Sequence, residues 1–327
     1  MKAIVCEQYG PPCSLVLKEL PNRSPTAKEV VVQVKACSLN FPDTLIIQGK
    51  YQYKPDLPFT PGSDIAGIIK EIGSEVKNFK IGDEVFGLIP HGGFAEEAVC
   101  SAKSIFPKPP KMDNAIAASF LMAYGTSYYA LKNRAKLKQG ETLVVLGASG
   151  GVGIAAVELG KRLGARVIAC ASTDEKLAFC KSYGADEVIN YTKEDLKVRI
   201  KELTYGKGAD VIYDPIGDKF SEPALRSIAW EGRYLVVGFA AGEIPKIPLN
   251  LALLKSCQIV GVFWGAWAMQ FPNENAINTM ELMTWHSEGK LKPHIHAQYS
   301  LSEAYKAMEE MQDRKVMGKI VIDCTKT

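Results

Sequence analysis

Residues 147–153 form a glycine-rich turn that restricts the possible folds of this chain more than any other segment. The turn reads Gly-Ala-Ser-Gly-Gly-Val-Gly, directly after the apolar run TLVVL and before the helical pattern IAAVELGKRLG. Glycines at such a turn let the backbone approach a diphosphate, whose charge is stabilised by free N–H groups at the helix start. The spacing is one residue looser than Gly-x-Gly-x-x-Gly, so the turn alone is a weak signal. Its position after the first strand of a βα series predicts a dinucleotide site.

Short apolar strands alternate with helices from about residue 125, which is typical of βαβ units. The predicted strands cover residues 142–146, 166–170, 187–189, 210–213, 233–237 and 257–263. Six strands with crossover helices match the two mononucleotide-binding halves of a doubly wound parallel sheet. We therefore predict an α/β Rossmann domain over residues 122–267.

Residues 1–121 have a different pattern, with short β-rich runs separated by Gly and Pro and few helical repeats. The tail from residue 268 contains a helical pattern at 274–289, a strand at 294–299, a helix at 302–311 and a strand at 318–323. Because the six-stranded sheet is complete without this tail, we expect the tail to join the first region. The predicted domains are therefore residues 1–121 with 268–327, and residues 122–267.

The composition excludes several classes of protein. Hydrophobic residues make up 47% and charged residues 23% of the 327 residues, as in ordinary globular proteins and unlike disordered chains. The formal net charge is only +3, so nucleic acid is not an expected partner. The chain has no run of 18 apolar residues and no signal-peptide core at its start, so we expect no membrane span. The 8 cysteines include no Cys-x-x-Cys pair, which favours a cytoplasmic protein with reduced thiols.

The end of the second Rossmann strand indicates which nicotinamide cofactor binds. An NAD site usually places a carboxylate here for the ribose 2′-hydroxyl, but this strand ends in Cys-Ala-Ser-Thr. Ser172 and Lys176 offer a hydroxyl group and a positive charge to a 2′-phosphate instead. Ser172 can also be the N-cap of the next helix, with Glu175 completing a capping box. We predict NADPH as the cofactor.

Several motifs taken together are similar to one protein family. They read SLNFPD at 38–43, PGSDIAG at 61–67, GDEVFG at 82–87, the glycine turn, STDEK at 172–176, INY at 189–191 and GK at 318–319. On these motifs the whole chain resembles the zinc-lacking quinone oxidoreductases, the zeta-crystallin-like branch of the medium-chain dehydrogenase/reductase superfamily. The resemblance implies a β-rich GroES-like catalytic domain built from both ends of the chain, with the Rossmann domain inserted. It also implies a cofactor in the cleft between the domains.

The resemblance further implies which residues contact NADPH. Ser172, Lys176 and Tyr191 would hold the 2′-phosphate and the adenosine, and Arg314 would approach the same end. The other implied contacts are Thr126 beside the carboxamide, Tyr129 near the phosphates, Ser149, Gly150, Gly151 and Val152 in the glycine turn, and Gly238, Phe239, Ala240, Val262, Phe263 and Trp264 beside the nicotinamide.

The same superfamily contains zinc enzymes, whose metal ligands this chain lacks. Asn40 stands where those enzymes have a Cys, and Ser63 stands where they have the His of a Gly-His-Glu motif. Zinc requires a tetrahedral set of Cys, His or carboxylate ligands, for which Asn and Ser are poor substitutes. His294 and His296 form a His-x-His pair without a Cys or carboxylate at a spacing that completes a site. We therefore predict that the chain binds no metal.

Without zinc, the chain has no Lewis acid to polarise an alcohol or ketone. A quinone or enone needs less assistance, because the charge that arrives with a hydride is delocalised onto a distant oxygen that hydrogen-bond donors stabilise. We predict that Asn40 and Tyr51 are these donors. Plainer roles also fit: a loop-capping amide for Asn40, a half-buried loop aromatic for Tyr51 and a structural carboxylate for Asp43.

The predicted function is an NADPH-dependent, zinc-independent reductase of small quinones or related conjugated enones. Two alternatives stay open: an enoyl- or acrylyl-thioester reductase, and an NADPH-binding crystallin-like protein with little turnover. The last Rossmann strand is apolar and should lie at a sheet edge, where a second copy of the chain can pair with it. Together with the family pattern, this predicts a homodimer through that strand.

Overall fold

The computed structural model describes the whole chain, from Met1 to Thr327. It divides into two compact units, one formed by Met1–Met122 with Ser287–Thr327 and the other by Ala123–His286. The strands are β1 (Lys2–Val5), β2 (Val16–Glu19), β3 (Glu29–Leu39), β4 (Asp64–Ile72), β5 (Glu84–Leu88), β6 (Glu97–Ser101), β7 (Ile105–Pro107), β8 (Thr142–Val145), β9 (Arg166–Ala171), β10 (Glu187–Asn190), β11 (Ala209–Asp214), β12 (Ile228–Val236), β13 (Gln258–Gly261), β14 (Ile295–Ser300) and β15 (Lys319–Asp323).

The α-helices are α1 (Phe41–Ile46), α2 (Asn114–Phe120), α3 (Thr126–Tyr128), α4 (Gly151–Arg162), α5 (Asp174–Ser182), α6 (Leu196–Leu203), α7 (Ser221–Arg226), α8 (Asn250–Lys255), α9 (Trp264–Gln270), α10 (Pro272–Ser287) and α11 (Ala304–Gln312). Two π-helical segments, Leu121–Gly125 and Tyr129–Arg134, flank α3. No helix combines the length and the apolar character that a membrane span requires.

A seven-stranded sheet organises the first unit. Six of its strands follow the order β14-β15-β3-β4-β5-β7, and β6 pairs with β3. All neighbours are antiparallel except β14 and β15, which are parallel. Strand β3 has the sequence EVVVQVKACSL and is buried along most of its length, since strands pair with it on both sides. The C-terminal strands β14 and β15 join this sheet beside β3, so both ends of the chain contribute to it.

Six parallel strands form the sheet of the second unit, in the order β10-β9-β8-β11-β12-β13. Counted along this unit, the order is 3-2-1-4-5-6, the doubly wound arrangement expected from the strand–helix alternation. The order reverses between β8 and β11, and ligands bind such sheets at the carboxyl ends of the strands beside this point. Strand β13 lies at one edge, as the sequence predicts.

The second unit extends beyond the predicted boundary at residue 267 and includes nearly all of α10. The ammonium group of Lys132 contacts Glu281 at 2.5 Å and Asn278 at 3.2 Å. The rings of Tyr128 and Trp285 pack edge to face, with centroids 5.4 Å apart. Helix α10 therefore packs on the helical segment before β8, a contact that helical periodicity alone does not reveal.

Capping explains where one helix begins. A helix is predicted from residue 193, but α6 begins at Leu196, because the carboxylate of Asp195 accepts a hydrogen bond of 2.8 Å from the N–H of Val198. Strand β12 begins at Ile228, earlier than the predicted residue 233.

Candidate functional site

The glycine turn lies between β8 and α4, at the carboxyl edge of the parallel sheet. Gly147 has a φ of +55°, and a Cβ at this position would lie 2.5 Å from Cγ2 of Ile216. A Cβ on Gly153 would lie 2.3 Å from the carbonyl oxygen of Gly147, closer than such atoms can approach. Only glycine therefore fits at both positions, and the backbone stays bare where a ligand would approach the helix.

The start of α4 offers N–H groups to a ligand. Gly150 is the N-cap residue and supplies no capping side chain, so the first N–H groups of the helix have no partner within it. Ser149 is buried, whereas Gly151 and Val152 are half-buried at the helix start. These four predicted residues form one turn, whose N–H dipoles can hold a diphosphate.

Two residues that sequence reasoning missed, Ser127 and Tyr213, hold this turn in place. The hydroxyl group of Ser127 donates a hydrogen bond of 2.8 Å to the carbonyl oxygen of Val152 and lies 2.9 Å from the hydroxyl of Tyr213. Both side chains are buried. Ser127 directly follows Thr126, so this bond brings the predicted carboxamide residue and the glycine turn together. In the sequence, only the position of Ser127 next to Thr126 indicates that it belongs to the site.

Ser172, Lys176 and Tyr191 lie at the same edge of the parallel sheet. Ser172 follows β9 and Tyr191 follows β10, and these two strands pair directly. The hydroxyl of Thr192 donates a 3.0 Å hydrogen bond to the carbonyl oxygen of Ser172, which joins the two strand ends. Lys176 lies in the first turn of α5, directly after β9. The fold thus places a hydroxyl, an ammonium and an aromatic ring in one corner of the second unit.

Thr173 caps α5, and Ser172 does not. The Oγ1 of Thr173 accepts a hydrogen bond of 3.3 Å from the N–H of Lys176. The alternative interpretation, in which Ser172 is the N-cap and Glu175 completes a capping box, is therefore wrong. Because the cap lies one residue later, the helix does not use the hydroxyl of Ser172.

Asp174, at the start of α5, brings a negative charge near Ser172 and Lys176, and neighbouring side chains compensate this charge. Its carboxylate accepts hydrogen bonds of 2.6 Å from Lys193 and 2.7 Å from Asn190. The hydrogen bond from Lys193 lowers the pKa of Asp174 most, and the one from Asn190 lowers it further. The carboxylate is thus ionised and paired, so its repulsion of a phosphate is reduced.

The segments predicted beside the nicotinamide follow β12 and β13 at the carboxyl edge of the sheet. The N–H of Ala240 donates to the carbonyl oxygen of Pro215 at 3.1 Å, and the N–H of Val262 donates to that of Val236 at 2.9 Å. The predicted residues on these segments are Gly238, Phe239, Ala240 and Val262.

Two aromatic residues predicted to contact the cofactor, Trp264 and Tyr129, pack against other residues of the second unit. The indole of Trp264 packs over Gly125, and its Nε1 donates a hydrogen bond of 3.1 Å to Asn275. The ring of Tyr129 stacks on Trp267, with centroids 4.5 Å apart. Both rings are buried, so the structure uses them as packing residues.

Phe263 and Arg314 are exposed. Phe263 immediately precedes α9 and is 62% exposed. Arg314 belongs to the first unit and lies in the turn after α11, with a φ of +57°. Contacts of these two side chains with a cofactor stay sequence-based predictions.

Asn40 and Tyr51 belong to the segment around α1 in the first unit. Asn40 is the N-cap of α1, is 5% exposed, and donates from its backbone N–H to Asp43 at 2.8 Å. Tyr51 is half-buried against the apolar core of this unit. Burial and, secondarily, the carboxylate of Asp43 raise the pKa of Tyr51. Its phenol therefore stays protonated at neutral pH and can donate a hydrogen bond.

Asp43 acts as a structural carboxylate at the third position of α1. Burial raises its pKa to about 6, although the N–H of Asn40 and the charge of Lys319 act in the opposite direction. Its hydrogen bond to Asn40 is the carboxylate half of a capping box.

Sequence reasoning missed a buried ion cluster beside Asn40. Lys319, the first residue of β15, is 6% exposed and donates to the carbonyl oxygen of Leu39 at 2.9 Å and to Oδ1 of Asn40. Burial lowers the pKa of Lys319, while the carboxylates of Asp64 and Asp43 oppose this change. Burial raises the pKa of Asp64, whereas the charge of Lys319 and hydrogen bonds from the backbone of Met122 and the side chain of Asn40 act in the opposite direction.

Comparisons with known proteins agree with this architecture. Residues 26–110 match the family model described as alcohol dehydrogenase GroES-like domain, and residues 151–281 match the one described as zinc-binding dehydrogenase. The chain is 39% identical to the quinone oxidoreductase-like protein 2 homolog of Nematostella vectensis, over 98% of this chain and 88% of the relative. Its structure is similar to that of Escherichia coli quinone oxidoreductase complexed with NADPH, with a TM-score of 0.94, 29% identity and coverage of 99% and 100% of the two chains. It is also similar to the CurK enoyl reductase, with a TM-score of 0.89, 26% identity and 98% coverage of both chains.

Proposed function

Because the chain belongs to the quinone oxidoreductase branch of the medium-chain dehydrogenase/reductase superfamily, we propose that it is an NADPH-dependent reductase of quinones or related conjugated enones that works without zinc. One observation carries the proposal. The second unit combines a glycine turn that leaves helix N–H groups open with a hydroxyl and an ammonium at the end of the next strand. These are the groups that a diphosphate and a 2′-phosphate require.

The residues of the second unit fit NADPH. The cradle at Gly147 and Gly153 has no room for a Cβ, so its backbone can approach a diphosphate. Ser172, freed from the helix cap by Thr173, and Lys176 would hold the 2′-phosphate. When bound, the cofactor supplies a hydride.

The first unit supplies the groups for the acceptor. Tyr51 keeps its proton at neutral pH and can donate it in a hydrogen bond to an acceptor oxygen. Asn40 would be the second donor, through its amide nitrogen, which in the protein alone contacts the carbonyl oxygen of Ser38 at 3.4 Å and hydrogen-bonds to the carboxylate of Asp64. Two such donors stabilise the negative charge that develops on a conjugated oxygen.

Zinc does not fit the residues that stand at the ligand positions. The Oδ1 of Asn40 already accepts a hydrogen bond from the ammonium of Lys319, whose charge repels a second cation. Burial raises the pKa of the neighbouring thiol of Cys37 well above its usual range, so this thiol stays protonated and is a poor metal ligand. The proposed reaction therefore uses no metal at this position.

A second candidate is an enoyl-thioester reductase, which the similarity to the CurK enoyl reductase supports. The same donors can stabilise the enolate of a thioester, since charge is delocalised onto its oxygen in the same way. Fold similarity alone does not choose between acceptors, because related sites on one fold serve different substrates.

A panel of acceptors tests the proposal. NADPH oxidation is followed with a small quinone, a simple enone and a 2-enoyl thioester, with and without EDTA. We expect the highest kcat/KM with the quinone or the enone, unchanged by EDTA. A clear preference for the thioester would favour the second candidate. Stoichiometric NADPH binding without turnover of any acceptor would indicate the crystallin-like role.

A further inference from the structure

Asp214, the last residue of β11, has a carboxylate that is buried and bonded on both oxygens. One oxygen accepts hydrogen bonds of 2.9 Å and 2.8 Å from the N–H groups of Ile216 and Gly217. The other accepts from the hydroxyl groups of Ser221, at 2.8 Å, and of Tyr234. A carboxylate has about four acceptor positions, so its capacity is used completely here. The side chain of Asp214 therefore ties the turn after β11 to α7 and β12.

The same turn is bonded to the segment that follows β12. The carbonyl oxygens of residues 214–216 accept hydrogen bonds of 2.8 Å to 3.3 Å from N–H groups of residues 237–241. Gly217 has a φ of +67°, and a Cβ at this position would lie 2.8 Å from Cδ1 of Phe239, so only glycine fits. The position of residues 237–241 thus depends on the turn that Asp214 closes.

The strand order indicates which half of a dinucleotide would approach these segments. The order β10-β9-β8-β11-β12-β13 puts β9 and β10 on one side of the glycine turn and β11 and β12 on the other. Ser172 and Tyr191, the predicted adenosine contacts, follow β9 and β10. A doubly wound sheet binds one nucleotide on each of its halves. A dinucleotide with its diphosphate at the glycine turn therefore extends its nicotinamide half over the ends of β11 and β12.

We propose that Asp214 is a positioning residue for the nicotinamide half of NADPH: its carboxylate closes the turn after β11 and so fixes residues 237–241, beside which the nicotinamide would lie. This inference rests on the proposed function, because it takes the second unit as the NADPH site. Asp214 is buried and need not touch the cofactor. It acts through the hydrogen bonds that join the two segments.

A probe without nicotinamide separates this role from a general loss of structure. Adenosine 2′,5′-bisphosphate carries the adenosine, the 2′-phosphate and a 5′-phosphate of the cofactor, but no nicotinamide. It would bind at the glycine turn and at Ser172 and Lys176, which lie on the other side of β8 from Asp214. A variant that displaces only the nicotinamide half loses affinity for NADPH and keeps its affinity for the probe. A variant whose second unit unfolds loses both.

The main variant removes the carboxylate together with the hydroxyl groups that donate to it, because a buried hydroxyl without an acceptor is itself destabilising. This triple variant is Asp214→Ala/Ser221→Ala/Tyr234→Phe. Its matched control, Ser221→Ala/Tyr234→Phe, keeps the carboxylate and its bonds to the turn. Asp214→Asn is the conservative variant. Its amide oxygen can accept from the turn, while its amide nitrogen donates to the two hydroxyl oxygens.

Isothermal titration measures the Kd of each ligand. We expect the triple variant to bind NADPH about tenfold or more weakly, and to bind the probe like the wild type. The matched control and Asp214→Asn should bind both ligands like the wild type. With saturating NADPH and a quinone, kcat should fall about tenfold or more in the triple variant only, because a displaced nicotinamide no longer faces the acceptor.

Gly217→Ala disturbs the same turn with the carboxylate in place, and it tests the inference whether or not the triple variant folds. The new Cβ would meet the ring of Phe239 on a backbone that disfavours alanine. We expect the same selective loss of NADPH affinity. Gly206→Ala is the control, because Gly206 has a φ of +81° but no atom within 4 Å of a Cβ. It should bind both ligands like the wild type.

A folded triple variant or a Gly217→Ala protein that binds NADPH like the wild type would overturn the inference. So would either protein if it lost affinity for NADPH and for the probe to the same extent. A wild type that binds NADPH but reduces no conjugated acceptor would overturn the proposed function alone, because the titrations need no acceptor. A wild type that binds neither ligand would overturn both.

Discussion

Lys176 lies in the first turn of α5, which follows the strand end at Ser172. If this pair holds a 2′-phosphate, Lys176→Ala removes a charge-assisted hydrogen bond worth roughly 1.5–3 kcal/mol. We expect the Kd for NADPH to rise about tenfold or more, and the Kd for NADH to change little. Isothermal titration with both cofactors measures the two values.

Lys181→Ala is the matched control, because Lys181 lies on the same helix but is exposed in its last turn. This variant should bind both cofactors like the wild type. Equal losses of NADPH and NADH affinity in Lys176→Ala would contradict the assignment of Lys176 to the 2′-phosphate.

The buried carboxyl of Asp43 gives a pH-dependent term in the free energy of unfolding. Its folded-state pKa is raised from 3.8 to about 6, so the folded protein holds a proton that the unfolded chain releases between these values. This stabilising contribution is complete below pH 4 and is lost as the pH rises through about 6. We expect Asp43→Asn to remove this term, on the order of 3 kcal/mol between pH 4 and pH 8.

Urea unfolding of the wild type and of Asp43→Asn at several pH values measures the effect. The difference between the two unfolding free energies should move in favour of the variant as the pH rises. A difference that is independent of pH, or that moves toward the wild type, would contradict the raised pKa.

Local sequence signals locate the polar residues at strand ends but miss those whose partners are distant. Ser172 and Lys176 are found because a βα turn is a local motif. Lys319 cannot be assigned in this way, because its partner Asn40 lies 279 positions away and only the pairing of β15 with β3 joins them. The exact cap of α5 is also missed, since Ser172 and Thr173 are both good N-cap residues and only the backbone geometry selects Thr173.

The turn between β8 and α4 depends on glycine at two positions. In Gly153→Ala the new Cβ would lie 2.3 Å from the backbone oxygen of Gly147, which cannot move without opening the turn. We expect this variant to lower the melting temperature by about 5 °C and to weaken the binding of both NADPH and NADH. Thermal unfolding and cofactor titration measure these effects.

Gly265→Ala is the control for this substitution, because a Cβ at Gly265 would have no atom within 4 Å. Gly265 lies in α9, where alanine is favoured over glycine, so its melting temperature should be unchanged or slightly higher. A Gly153→Ala protein with normal stability and cofactor affinity would show that the turn is not the phosphate cradle.

Regular alternation makes the elements of the second unit predictable. All six strands of its sheet and their order agree with the doubly wound fold expected from the sequence. Helix α10 is assigned to the wrong unit because its pattern shows that it is a helix but not what it packs against. The residues that it contacts, Lys132 and Tyr128, lie about 150 positions earlier in the chain.

Strand β13 leaves an open edge on the parallel sheet, and apolar side chains surround it. Ile259 on this strand is 41% exposed, and Leu249 and Leu253 on the preceding segment are 79% and 80% exposed. Open edges and exposed apolar clusters are typical of interaction surfaces. We propose that β13 pairs with the same strand of a second copy and forms a homodimer with a continuous sheet.

Light scattering after gel filtration tests the dimer. The wild type should have twice the mass of the 35.7 kDa chain, and the double variant Ile259→Asp/Leu253→Glu should have the mass of the monomer. Val198→Glu is the control, because Val198 is an exposed apolar residue on α6, next to β10 at the opposite edge. A monomeric wild type, or a dimer that the double variant leaves intact, would exclude this interface.

The most direct measurement compares NADPH and NADH as donors to one quinone, using protein treated with a chelator and freed of metal. We propose that Ser172 and Lys176 favour the cofactor with the additional phosphate, and that the ammonium of Lys319 at Asn40 disfavours zinc there. We expect kcat/KM with NADPH to exceed that with NADH by about tenfold or more, and chelation to leave the rate unchanged. Equal rates with the two cofactors, or activity that disappears on chelation and returns with zinc, would contradict metal-free transfer from NADPH.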